Sequence, residues 1–230
     1  MAPSTSRPNT VIRNSLRGAP VTSAITAICI VVFLITALQA RSITDVVWDS
    51  PLGSAMILWG PLVEGLGYLR PLTAGFLHLD ITHLFLNMLM LVFVGAEVER
   101  YVGSGPYAVG YLASVLGSSG AVLAFNFATP TAGASGALYA LMAMLVAIAL
   151  RRSVDLRAPL ALIAVNVAYT LMATNVSFWG HAGGLVFGAL MAWPLTSQSM
   201  RTRWVGALAG LALGTAAVWA ATLPLSAPVY

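Results

Sequence analysis

Few side chains in this 230-residue chain can exchange a proton near neutral pH: three histidines, His78, His83 and His181, with seven acids and one cysteine beside them. Ser135 stands between small residues in Gly133-Ala134-Ser135-Gly136, and His181 opens the stretch HAGGLVFGAL. His83 and Asn87 are four apart in HLFLN, a spacing that puts both on one helical face. A serine hydroxyl is a poor nucleophile until a base takes its proton, and neutral imidazole suits that task near pH 7. Acyl transfer also needs donors aimed at the developing oxyanion. The Asn87 amide, a His83 ring N–H and the backbone N–H groups at a helix start by Ser135 can supply them. The economical reading is a dyad with Ser135 as nucleophile and His181 as general base. No acid lies at a level to orient that base, since Asp80 is near one end of its apolar run and Glu97 and Glu99 are at the other. A charge there would cost about 2.5–3.5 kcal/mol on insertion scales.

The elements that must carry these residues are membrane-spanning helices. Hydrophobic residues make up 59% of the chain and charged residues 8%, against about a quarter charged in soluble domains. That gap excludes a water-soluble surface and predicts an all-α integral membrane protein. Seven apolar runs have spanning length, at about 21–40, 80–97, 105–125, 134–150, 158–174, 180–196 and 204–222. They form one polytopic domain over 21–222, between a cytosolic arm over 1–20 and an outer tail over 223–230. Trp48, Trp59 and Tyr68 suit the segment 41–78 to the headgroup level. All 11 basic residues are arginines; with the N-terminus inside, nine fall on the inner side and only Arg41 and Arg70 on the outer. This positive-inside bias puts the C-terminus outside, and the cell membrane is the expected location. The arm, with Arg and Ser but no acids, also suits an organellar transit peptide.

Under that topology the second, fourth and sixth spans run from outside to inside. His83 lies 14 residues above Glu97, Ser135 lies 16 above Arg151, and His181 lies 15 above Thr196. At the helical rise all three stand roughly 21–24 Å above the inner boundary, in a hydrocarbon core about 30 Å thick. Taken singly, each has a plain structural role: a serine among glycines is often a packing seam, and His83 with Asn87 can be interhelical glue. Their common level favours a shared function. Gly133 and Gly136 allow the backbone to turn and a substrate to approach. Residues 126–133, NFATPTAG, break the helix and predict a submerged loop around a watery cavity. Gly184 and Gly188 on the sixth span and a small-residue stripe on the fourth (Gly136, Ala140, Ala143, Ala147) allow the two backbones to approach. Tyr139, one turn after Ser135, faces the same cavity, either as a packing aromatic or stacked on His181.

Together these residues resemble the rhomboid family of intramembrane proteases over about Arg70 to Gly188. RPLTAGFLH, the His78-x4-His83-x3-Asn87 pattern, GAEVERYVGS, Gly133-Ala134-Ser135-Gly136 with Tyr139, and His181-x2-Gly184-x3-Gly188 stand in the family's order. The resemblance implies a six-helix core with a Ser135–His181 dyad, and an oxyanion site built from His83, Asn87 and the Ser135 N–H. It implies supporting roles for Gly133, Gly136, Tyr139 and His78, and helix packing through Gly184 and Gly188. It also implies a cap formed by the loop around Asn175 to Trp179, a movable fifth span, and no metal or cofactor. The seventh span resembles the six-plus-one form. Gly180 stands where the family commonly has alanine.

The function expected is an intramembrane serine endopeptidase that cleaves transmembrane-anchored proteins near the outer membrane face. Its partners are transmembrane substrates and the lipid bilayer, with no nucleic acid. The alternative is a catalytically inactive rhomboid-like protein that binds transmembrane clients. A zinc protease of the HExxH type is disfavoured because Leu84-Phe85-Leu86-Asn87 follows His83. A transporter would show interrupted helices in paired halves, and the sequence shows no such symmetry.

Overall fold

The structure is a computed structural model that describes residues 16–223. Arg7 and Arg13 of the expected arm, and residues 224–230 of the expected tail, lie outside the described residues. Seven long helices follow one another: α1 Pro20–Ala40, α2 Ile81–Val102, α3 Ser104–Phe125, α4 Ser135–Arg151, α5 Arg157–Met172, α6 Phe178–Leu195 and α7 Met200–Thr222. By length and composition α1, α2, α3 and α7 can cross a membrane; α4 and α5 are apolar but only 17 and 16 residues long. Large apolar side chains such as Leu38, Phe85, Val165, Leu190 and Trp219 face outward from the bundle. An exterior of this kind belongs in lipid, and the chain is an integral membrane protein.

The helix starts follow from local chemistry. Pro20 at the first turn of α1 needs no hydrogen-bond acceptor. Asp80 caps α2 by accepting the His83 N–H at 2.8 Å, and Ser177 caps α6 by accepting the Gly180 N–H at 3.1 Å. Ala19 offers α1 no side-chain cap. Glu99 supplies one from α2: its buried carboxylate accepts the N–H groups of Val21 at 3.0 Å and Thr22 at 2.7 Å, and the Ser104 hydroxyl at 2.6 Å. A carboxylate at a helix N-terminus is favoured by the free N–H groups and the dipole together.

That contact also explains a boundary. The sequence places the end of the second span at Glu97, whereas α2 runs on to Val102 through a π-helical turn at Leu91–Gly95. The charged residues do not end the helix, because Glu99 is buried on α1 while Glu97 pairs with Arg100 at 3.0 Å and Arg152 at 2.8 Å. The sixth helix likewise begins at Phe178, one cap residue after Ser177.

α4 is the centre of the bundle and is enclosed along most of its length by its neighbours. α6 packs against both α3 and α4, and α7 runs along α3. On α7, Gly206, Gly210 and Gly214 recur every four residues and are buried. A Cβ at Gly214 would come 3.0 Å from the Ala113 carbonyl, so the small residues set how closely α7 lies on α3. Arg203 fastens the same helix by donating to the Tyr101 and Val102 carbonyls at 2.9 and 3.0 Å, where α2 ends. α5 is the least embedded helix, and Thr170 is its one buried residue.

Candidate active site

Ser135 is the first residue of α4, and the loop before it is held from outside the bundle. Leu58 and Thr131 exchange two backbone hydrogen bonds at 3.0 and 2.8 Å, and Gly60 N–H donates to the Phe127 carbonyl at 3.0 Å. The Trp59 indole N–H reaches the Ala128 carbonyl at 3.0 Å. Gly133 N–H donates to the Ala74 carbonyl at 2.9 Å. Gly133 has φ +126°, a conformation that side-chain-bearing residues rarely adopt. A Cβ there would stand 2.7 Å from His83 Nε2 and 3.6 Å from Ser135 Oγ. The missing side chain leaves a space that the imidazole and the hydroxyl both border.

His181 lies one turn into α6, and its Nε2 is 2.8 Å from Ser135 Oγ. Two features bring α6 this close. A Cβ on Gly184 or Gly188 would collide with the backbone of α4 at Gly136 and Ala140 respectively, so the helices touch through glycine. From α3, the Ser118 hydroxyl donates to the Gly180 carbonyl at 2.8 Å, just ahead of the histidine. Gly136 leaves room for that serine, since a Cβ on it would strike Ser118 Oγ. The His181 ring stacks on Tyr139, with centroids 4.4 Å apart and planes 14° from parallel. Its second nitrogen, Nδ1, lies 2.8 Å from Thr170 Oγ1.

His83 is oriented by its own helix start. Its Nδ1 accepts the Leu79 N–H at 3.4 Å, which leaves Nε2 to carry the proton of the neutral ring beside Gly133. Asn87, one turn further along α2, spends one amide N–H on the His83 carbonyl at 2.8 Å. Its second N–H remains for another acceptor. His78, in the bend before α2, is fully buried edge-on to His83 with ring centroids 5.1 Å apart. Neither of its ring nitrogens has a protein partner. Burial, and after it the His83 ring, pushes the His78 pKa down to about 3, so it is neutral.

The arrangement can therefore do nucleophilic chemistry: a hydroxyl on an imidazole nitrogen, beside backbone N–H groups of a helix start and a second ring N–H. Among the described residues no group of three or more His, Cys, Asp or Glu side chains could hold a metal ion. Thr170, Asn166 and Ser118 carry no motif that singles them out in the sequence. One signal was available for Thr170: it lies 13 residues from Arg157, roughly 20 Å along the helix, which under the expected topology puts it at the level expected of the other polar groups.

The family model described as Rhomboid domain matches residues 66–198. The chain is similar to the Rhomboid protease GluP of Bacillus subtilis, 38% identical over 129 residues, which is 54% of this chain and 25% of that protein. It is similar to the mitochondrial RHOMBOID-like protein 6 of Arabidopsis thaliana, 31% identical over 147 residues, or 61% of this chain and 48% of that one. It is similar to the Rhomboid protease GlpG of Yersinia pestis, 23% identical over 197 residues, or 81% and 66%. The chain thus spans about a quarter of the first of these relatives and about half of the second.

Proposed function

Because this chain belongs to the rhomboid family, we propose that it is an intramembrane serine endopeptidase that cleaves transmembrane-anchored proteins near the outer membrane face, with Ser135 as nucleophile and His181 as base. The observation that carries this reading is the 2.8 Å contact between Ser135 Oγ and His181 Nε2. Two relatives named as rhomboid proteases support it.

The chemistry follows from the geometry. His181 Nε2 takes the hydroxyl proton as Ser135 Oγ attacks the scissile carbonyl carbon. The oxygen that becomes negative is stabilised by the Ser135 N–H at the start of α4, by His83 Nε2–H and by the free Asn87 N–H. The imidazolium then gives its proton to the leaving amine, and the same base activates the water that releases the acyl group. Gly133 keeps space open between His83 and Ser135 for the reacting carbonyl. Gly136, Gly184 and Gly188 hold α4 and α6 at contact, so the reacting pair is positioned before a substrate arrives.

The proposed substrate class is what membership of the family implies; the expected topology, which puts the start of α4 nearer the outer side, is consistent with a cut close to the outer end of another protein's span. The arginine distribution supports an N-terminus inside and a C-terminus outside, and the cell membrane is the proposed location. The test is cleavage of a model single-span substrate co-reconstituted in liposomes. The native protein is expected to release a fragment cut near the outer interface. Equal release by Ser135→Ala would overturn the proposal.

A further inference from the structure

α5 buries one residue, and that residue is polar. Thr170 Oγ1 sits 2.8 Å from His181 Nδ1 and 2.9 Å from the Asn166 carbonyl one turn back. It also touches the Tyr139 hydroxyl, which reaches the same Asn166 carbonyl at 2.5 Å. A carbonyl oxygen only accepts, so it is the sink for the hydroxyl protons around it. With the threonine proton directed to Asn166, the usual back-bond of a helical threonine, Thr170 Oγ1 can only accept from His181. The imidazole is then the Nδ1–H tautomer, with the lone pair of Nε2 facing Ser135. The opposite tautomer would put an N–H against the hydroxyl and leave the ring unable to take its proton.

We propose that Thr170 is the positioning residue of the base: through its hydroxyl it selects the reactive tautomer of His181 and holds the ring in plane. The proposal rests on the Ser135–His181 reading and adds to it a third member supplied by a different helix. The proton balance is complete. Nε2 receives the Ser135 proton, the imidazolium keeps its Nδ1–H on Thr170 Oγ1, and Nε2 later passes its proton to the leaving amine. Thr170 stays neutral throughout, as a group in hydrocarbon should. Tyr139 cannot replace it, because that ring lies on the face of the imidazole and not at its edge. Since α5 is otherwise shallowly seated, a displacement that carries Thr170 away also releases the base.

The test uses the full chain in detergent, with Thr170→Val as a shape-matched variant lacking the hydroxyl and Thr170→Ser as the conservative one. Thr170→Val is expected to lower kcat roughly 10- to 100-fold with KM little changed, and Thr170→Ser to recover most of the loss. A native kcat in Thr170→Val, or a Thr170→Ser variant as slow as Thr170→Val, overturns the proposal. A measurement on the native protein covers the case of a variant that does not fold. With only three histidines, nitrogen NMR of histidine-labelled protein, assigned by the signal lost in His181→Gln, reads the tautomer directly. An Nδ1–H ring supports the proposal and an Nε2–H ring overturns it. Ser135→Ala and His181→Ala are run in parallel. If both abolish cleavage while Thr170→Val does not, only the threonine role fails; if either still cleaves, the dyad reading fails and the threonine role goes with it.

Discussion

The rings of Tyr139 and His181 lie face to face, 4.4 Å between centroids and 14° from parallel. One comes from the first turns of α4 and the other from the first turns of α6, so the stack joins the two helices at the level of Ser135. Stacked aromatic pairs contribute about 0.5–1.5 kcal/mol beyond their buried area. Tyr139→Phe keeps the stack and is expected to retain most of the cleavage rate, whereas Tyr139→Leu is expected to lose about three- to tenfold. Initial rates in detergent decide this; a Leu variant faster than the Phe variant contradicts the stacking role.

Asn87 holds one N–H on the His83 carbonyl, and the proposed mechanism directs its second N–H to the oxyanion. Asn87→Ala is expected to lower kcat by about 10²-fold, the scale for losing one such donor, with KM and thermal stability close to native. Steady-state kinetics and a melting curve check both halves. A native kcat removes Asn87 from the oxyanion site.

A side chain on Gly184 would collide with the Gly136 backbone directly beside Ser135. Gly184→Val is expected to force α6 away from α4, at about 1–3 kcal/mol for overpacking, and to abolish activity even where the helix content survives. Circular dichroism alongside cleavage assays makes the comparison. Full activity in a folded Gly184→Val protein contradicts the close helix contact.

These features differ in how far the chain alone disclosed them. Ser135, His83 and His181 carried their signal in being polar at one expected depth on separate apolar runs, and the spacing of Gly184 and Gly188 foretold a close helix contact. The seven helices lie where the apolar runs lie. The helix α2 outruns the apolar run read from the sequence, because a charged residue reads as a boundary whereas Glu99 is buried as the cap of α1. Only the fold brings residues 99 and 22 together, and no local pattern encodes that. Thr170 escaped for a related reason: a threonine in a span ordinarily bonds its own backbone, and which imidazole stands opposite depends on how α5 and α6 are set. The Gly206, Gly210 and Gly214 row on α7 was not singled out in the sequence, and only the fold shows α3 as its partner.

His78 gives a pH dependence of stability. Its folded pKa is lowered to about 3, against about 6.5 for an unperturbed histidine. Below pH 6.5 the unfolded chain therefore binds a proton that the folded chain refuses. Stability is full above that pH and falls as pH drops, by about 1.4 kcal/mol per pH unit from this group. His78→Phe, which cannot titrate, is expected to lose less stability than the native protein between pH 7.5 and 5.0 in detergent melts. Equal losses in the two proteins contradict the buried, neutral state of His78.

The central claim is that His181 makes the Ser135 hydroxyl nucleophilic, and a fluorophosphonate probe tests it without any assumption about substrate. Purified native protein is incubated with the probe, digested, and the modified residue located by mass spectrometry. The account predicts a single adduct on Ser135, formed at least 10²-fold more slowly in His181→Ala, in line with the loss of a general base. An adduct on another serine, or labelling of Ser135 at an unchanged rate without the histidine, contradicts it.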